Sequence, residues 1–444
     1  LMRFLPLLFV LLLCLISPTH AQPSPDEPIL FYTTPSPTDA ETVLLCQKNM
    51  ADLEAESCLT LPHFYNYAFS PDYTLLAISA TENGQVHLVN LTEQSLIALG
   101  LCTPAQDFLW DEHTQQSGTL TWSPDGRYLA FTGVDQAESC TTRDEGSIYV
   151  YDVTAESLNN FTEGLAVPNA LVSPASWSPD SEWLLLYGAW VTEGEDAPQF
   201  APAIIGRDGT GFRRIAPGWE GACRLHGSAD MRWLAGQTSC TEAIATGSDF
   251  VIIPFAVNPL EGIQPETYLD TRISPFRLGQ RPANGWQSSY SAPLWTSPHQ
   301  IVVHRSLQPL GVNIDQTQDQ HARYSVSGLV SIDVETLSET LIAELSGEAT
   351  RQGDWFIADT LDAVTLINGR NIQQRIVLPR PGPAPCLPFN ALSISANADY
   401  LAVLNNCDIP AETLSLVILS DEGSSIIWEK AFDSLEVRLL GFSG

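Results

Sequence analysis

Lysine is almost missing from this chain. Of 444 residues only Lys48 and Lys430 are lysines, and Lys plus Arg total 20 against 52 acidic residues. The formal charge of −32 excludes a surface built for nucleic acid or anionic membrane, because phosphate binding needs clustered cations. Charged residues of both signs make up only 16%, whereas 44% are hydrophobic. That balance excludes general disorder and supplies apolar surface for a large core. After the first residues no run approaches the length of a membrane helix. Cys-x-x-Cys does not occur, nor a Gly-x-Ser-x-Gly elbow, nor the Asp-x-Asp-x-Asp-Gly of a calcium loop. His299, His304 and His321 fall in one segment but match no common zinc spacing. No metal and no cofactor is expected.

Arg3 precedes an apolar run from Phe4 to Ile16, and Thr19-His20-Ala21 offers a small-residue cleavage site before Gln22. Residues 1–21 therefore read as a signal peptide. The run is short for a membrane span, so a cleaved signal is preferred to a retained anchor. Leu13 stands where a lipoprotein signal wants a small residue before Cys14. The expectation is a secreted or periplasmic, cell-envelope protein with no integral span after cleavage. Of nine cysteines, eight remain once Cys14 is removed: 46, 58, 102, 140, 223, 240, 386 and 407. An even count in an exported chain favours disulfides. The acidic, lysine-poor surface is read as solubility outside the cell rather than adaptation to salt.

Residues 22–59 are a proline-rich segment holding Cys46 and Cys58, with a short strand expected at Ile29–Tyr32 and a short helix at Ala51–Glu56. A repeat then begins. Phe69-Ser-Pro-Asp-Tyr-Thr-Leu-Leu-Ala-Ile78, Trp122-Ser-Pro-Asp-Gly-Arg-Tyr-Leu-Ala-Phe131 and Trp177-Ser-Pro-Asp-Ser-Glu-Trp-Leu-Leu-Leu186 share a strand end, a tight turn and an apolar strand. Proline presets φ at the second turn position, and aspartate bonds its own backbone. Looser copies start at Gly227, Trp295 and Ile394, and Gly353-Asp-Trp-Phe-Ile-Ala358 sits where another is due. The turn serines at 70, 123, 178 and 228 recur at roughly 50–55 residues, a period typical of propeller arrays. Each unit continues with two more strands, as in Ser147-Ile-Tyr-Val-Tyr-Asp-Val153 and Ser157–Thr162. Four antiparallel strands, repeated, are the signature of an all-β, β-propeller fold over residues 60–444. Seven blades is the natural count, with six and eight as its neighbours.

The Ser-Pro-Asp-Gly turn, its aliphatic strand and the Ile-Tyr-Val-Tyr-Asp strand resemble the TolB-type, WD-like propeller repeat. TolB places an α/β domain before its propeller, and the related oligopeptidases carry a hydrolase domain after theirs. Here about 40 residues lie between the signal and the first repeat, so the resemblance implies a propeller without TolB's role in the envelope.

If the strands of each unit are lettered A to D, the A–B and C–D turns share one face of the disc. The B–C and D–A connections share the other, and the long ones expected there are 133–146, 188–201, 306–324 and 271–291. Loops of such length in a compact scaffold carry function more often than not. The cysteines cluster at that end as expected pairs Cys102–Cys140, Cys223–Cys240 and Cys386–Cys407, leaving Cys46–Cys58 as a local pair. Residues 271–324 hold Arg272, Arg277, Arg281, Arg305 and Arg323 against Asp315 and Asp319, interleaved with Trp286 and Tyr290. Arginine among aromatics is the composition of binding hot spots, although the same arginines could instead tack the loops to acidic neighbours. The function expected is a noncatalytic, monomeric binding scaffold for an unknown protein or glycan ligand. The alternatives are a propeller glycan hydrolase or lyase, with catalytic carboxylates in the axial funnel, and a structural part of an envelope complex.

Overall fold

A computed structural model describes residues 28–443 apart from 82–83, 104–119, 134–146, 163–171, 191–198, 215–222, 231, 238–249, 255–275, 278–285, 292, 310–325, 337, 346–348, 360–362, 380–390, 396–398, 406–413, 421–425 and 433–436. The expected signal peptide lies outside the described residues. Among the described residues all long elements are β-strands, and they pair antiparallel into eight sheets.

Seven of the sheets are the seven repeat units. Unit one runs Phe64–Phe69, Leu75–Ala80, Gln85–Asn90 and Ser95–Cys102, and unit two Leu120–Trp122, Tyr128–Gly133, Ser147–Asp152 and Ser157–Asn160. Unit six, whose motif is faint in sequence, has the same four strands from Ala349–Gln352 to Arg375–Pro379. The A strands of units one to four touch in succession, so they line the axis and the D strands form the rim. Burial follows this order. Strand B of unit two, Tyr128–Gly133, is buried throughout, whereas half of strand D of unit one is exposed. Between neighbouring sheets lie apolar cores, such as Tyr128, Ala130 and Val150 against Trp177, Leu184 and Ile205. Each such large side chain stabilises the ring by about 1.5–3 kcal/mol on burial.

The eighth sheet joins chain segments far apart in sequence. Its order is Arg438–Phe442, Ile29–Pro35, Thr42–Asn49, Glu56–Pro62. Leu440 packs with Phe31, Phe64 and Ile78 toward unit one, while Leu439 and Phe442 pack with Leu404 and Phe432 of unit seven. Arg438 Nη1 also donates to the Phe64 carbonyl at 3.0 Å. Seven repeat units plus this sheet make eight, within the expected range of six to eight. The boundary expected at residue 60 falls inside the strand Glu56–Pro62, and the expected lead-in segment supplies three strands of the closing sheet. The helix expected at Ala51–Glu56 is corrected to a turn. Asn49 Oδ1 accepts from Ala51 N–H and Asp52 Oδ1 from Glu54 N–H, and such local bonds compete with helix formation. Cys46 and Cys58 stand opposite each other in the register and form a disulfide.

Candidate functional site

The recurrent serine owes its place to backbone chemistry. Ser123 is fully buried. Its hydroxyl donates to Asp125 Oδ1 at 2.5 Å and accepts from Tyr128 N–H at 2.8 Å, while Asp125 Oδ1 also accepts from Arg127 N–H. Ser70 with Asp72, Ser178 with Asp180 and Ser228 with Asp230 repeat the pattern. The fourth residue of the turn has positive φ: Tyr73 55°, Gly126 72° and Ser181 60°. Glycine fills that position in unit two without the Cβ penalty.

The tryptophan ending strand A ties units together. Trp122 Nε1 donates to the Ala68 carbonyl of the preceding unit at 2.9 Å, Trp177 Nε1 to Thr121 at 3.3 Å, and Trp295 Nε1 to His226 at 3.1 Å.

The A–B and C–D turns do share a face, because charged pairs bridge them. Arg127–Asp152 at 2.7 Å spans them in unit two, Glu182–Arg207 at 3.0 Å in unit three, and Asp354–Arg370 at 2.7 Å in unit six. In unit five His299 Nδ1 faces Glu335 at 3.1 Å. The carboxylates that begin C–D turns accept backbone N–H groups, Asp152 from Thr154 and Ala155, Asp333 from Glu335 and Thr336. The Arg127 guanidinium holds the Asp152 carboxyl below the usual range, and Thr336 does the same for Asp333. The side chains just named thus serve the turns that carry them.

The opposite face receives the B–C and D–A connections. At its expected loops 133–146, 188–201 and 306–324 the described strands run to Gly133, Trp190 and Pro309 and resume at Ser147, Gln199 and Val326, and the residues between lie outside the described residues. The expected loop 271–291 is corrected: it holds the last strand of unit four, Phe276–Arg277, and the first of unit five, Trp286–Tyr290. In unit five the inner position is split. Trp286–Tyr290 pairs with Arg305–Pro309 and Leu294–Ser297 pairs with Gln300–Val302, with Ser291 bonded to the buried His304 between them.

Of the candidate binding residues, Arg272, Arg281 and Arg323 lie outside the described residues. Arg277 opposes Val251 in the unit-four sheet, and Tyr290 opposes Arg305, with Trp286 four residues before it on the same strand. Arg305 is in strand B rather than in a loop, and its Nη1 bonds Glu339 Oε2 at 2.5 Å. Among the other cysteines, Cys102 is disulfide-bonded, and Cys140, its expected partner, lies outside the described residues.

The inner strands bear on the enzyme alternative. Phe64–Phe69, Leu120–Trp122, Val172–Trp177, Cys223–Gly227, Trp286–Tyr290, Leu294–Ser297, Ala349–Gln352, Ala391–Ile394 and Arg438–Phe442 contain no Asp or Glu. Arg351 there is half-buried, and its guanidinium bonds the Pro293 carbonyl. A second cluster, absent from the sequence expectations, sits where unit seven meets the closing sheet. Tyr32 OH bonds Glu56 Oε1, and Lys430 Nζ reaches Tyr32 OH at 2.9 Å and Glu56 Oε2 at 2.8 Å. Burial raises the Glu56 carboxyl, but the Lys430 and Tyr32 bonds outweigh it and leave the group below its ordinary value. Lys48 Nζ bonds the nearby Leu53 carbonyl. Lys430 thus joins unit seven to the closing sheet, and Lys48 holds that sheet's own turn.

No family model matches the chain, and no curated protein matches it. Solved structures do. Dihydro-heme d1 dehydrogenase NirN is similar at TM-score 0.50 and 15% identity, over 94% of this chain and 75% of that one. TolB from Acinetobacter baumannii is similar at TM-score 0.34 and 15% identity, over 80% of this chain. The fold is that of a β-propeller. The chain spans 64% of the length of that TolB. Oligogalacturonate lyase from Vibrio parahaemolyticus is similar at TM-score 0.45 and 11% identity, over 91% of this chain and 96% of that one. At such identities the likeness is one of fold alone, and the propeller's role must be argued from its own residues. Among the described residues no helix is long and apolar enough to cross a membrane.

Proposed function

We propose that this propeller is an exported, noncatalytic binding scaffold of the secreted or periplasmic compartment. It recognises a protein or other extracellular ligand on the face of its B–C and D–A connections, as a monomer. The observation that carries the reading is the carboxylate-free set of inner strands, since glycan hydrolysis on a propeller wants two carboxyl groups flanking the substrate. With the opposite face occupied by turn chemistry, the arginine and aromatic set Arg272, Arg277, Arg281, Trp286, Tyr290 and Arg323 is the contact surface proposed. Arg305 buttresses that set through Glu339. Bridges Cys102–Cys140, Cys223–Cys240 and Cys386–Cys407 would hold the loops around it.

The test is capture of partners from the native secretome by the immobilised chain. The double variant Arg277→Glu/Arg281→Glu should lose the captured partner at unchanged melting temperature. Undiminished capture would remove this surface from the account.

A further inference from the structure

The outer strand of each sheet has its free edge on the rim, and such edges recruit other strands unless defended by charge, proline or brevity. This propeller defends nearly all of them. The outer strand Glu56–Pro62 carries Glu56 and Pro62, Glu339–Leu345 carries two glutamates, Arg375–Pro379 carries Arg375 and Pro379, and Ile426–Phe432 carries Glu429 and Lys430. Those of units three and four are two residues each among the described residues, and that of unit two is the short polar Ser157–Asn160. The exception is unit one. Its outer strand Ser95-Leu-Ile-Ala-Leu-Gly-Leu-Cys102 has eight residues with no charge and no proline. A bulge displaces Leu99–Leu101, leaving Ser95–Ala98 in regular register, with Leu96 41% and Ile97 51% exposed.

Beside this edge the sheets of units one and two diverge around a cavity of about 520 Å³ floored by Leu75, Leu88, Ile97, Leu99, Tyr151 and Leu158. Glu93 and Glu156, one from each C–D turn, stand on its lining near the Ser95 end. Both follow residues whose side chains cap the turns, Asn90 and Asp152, and among the described residues neither glutamate is in an ion pair.

We propose that this wedge receives an extended peptide segment of a partner protein, added as a further antiparallel strand to Ser95–Ala98. Alternate aliphatic side chains of the segment enter the cavity. A lysine or arginine at its C-terminal end meets Glu93 and Glu156, because an antiparallel strand ends where Ser95 begins. The carboxylates select the partner's charge and argue against a second copy of this chain, which would bring like charge to a molecule already at −32.

Selection of a random octapeptide display library on the full chain tests this. Enriched peptides should alternate aliphatic residues and end in Lys or Arg. Binding of a synthetic enriched peptide should fall roughly tenfold or more in Ile97→Asp, in Glu93→Lys/Glu156→Lys, and when alternate peptide nitrogens are methylated. The circular dichroism and melting temperature of both protein variants should be retained. If Ile97→Asp unfolds, the double glutamate variant decides alone. Absence of enrichment, or enriched peptides indifferent to these changes, overturns the proposal. Sedimentation showing a dimer that Ile97→Asp dissolves would also overturn it, by giving the edge to a second copy. All these residues lie on the turn side of units one and two, so the outcome is independent of Arg277 and Arg281.

Discussion

Replacing Ser123 by alanine tests whether the repeated turn is a backbone device. The hydroxyl is the buried acceptor for Tyr128 N–H at 2.8 Å and a donor to Asp125 at 2.5 Å. Asp125 keeps the Arg127 N–H as a partner, so its carboxylate loses one of two donors. Tyr128 N–H loses the acceptor that the Oγ provides at the start of a wholly buried strand. A bond to a charged group is worth about 1.5–3 kcal/mol, and a buried donor left unmade costs about 1–3 kcal/mol. The two overlap, so a total of about 2–3 kcal/mol is expected. Unfolding entropy near 2.1 cal/mol/K per residue makes about 0.9 kcal/mol/K for 444 residues. The melting temperature should then fall by only about 3 °C if the ring unfolds as one unit. Denaturant titration by tryptophan fluorescence is the sharper assay, and Asp125→Asn, which keeps the accepting oxygen, should lose much less. Ser70→Ala, Ser178→Ala and Ser228→Ala should behave alike, since they make the same bonds. A Ser123→Ala chain as stable as the parent would refute the reasoning, as would one equally stable but unable to bind its ligand.

Three further outcomes follow from the geometry. Gln94 holds φ 53° in an exposed turn, so Gln94→Gly should raise stability by about 1 kcal/mol in the same titration. Removing the Cys46–Cys58 bridge, whose sequence separation is 12, should cost about 3 kcal/mol, measured as Cys46→Ser/Cys58→Ser against the oxidised parent. Glu56→Gln should destabilise the ring at neutral pH, with the difference narrowing in acid. The folded carboxyl lies below its ordinary value, so its contribution is fully present above the unfolded pKa and is lost as pH falls through the folded one. A gap that is constant from neutral to acid would contradict the Lys430 contact.

The repeat was legible because units one to three rest on a local device, a serine, proline and aspartate in contiguous sequence that fix one turn, and units four, five and seven keep its serine at the expected place. Unit six lost the motif yet kept Gly353, in positive φ of 57°, at the expected spacing. The closing sheet was hidden for the same reason. Its inner strand Arg438–Phe442 and its second strand Ile29–Pro35 are not joined by a turn, so no motif can mark them, and the prolines around residues 22–40 read as a linker. Tyr32, Glu56 and Lys430 meet only because the ring closes, and Arg305 finds Glu339 across 34 residues. Those pairings depend on tertiary geometry that local patterns do not encode. The bridge between Cys46 and Cys58 was readable because its partners are close in sequence.

The central claim of the proposed function is that the ligand held through Arg277 and Arg281 sits on the face of the B–C and D–A connections and not on the Ser-Pro-Asp turns. Cross-linking mass spectrometry on the captured complex tests it most directly. The account predicts partner cross-links and protected peptides concentrated on 271–291 and 310–325, with none on the turns at Ser70, Ser123 and Ser178. A partner mapped onto those turns, or into the axial channel with turnover of a glycan, would contradict it.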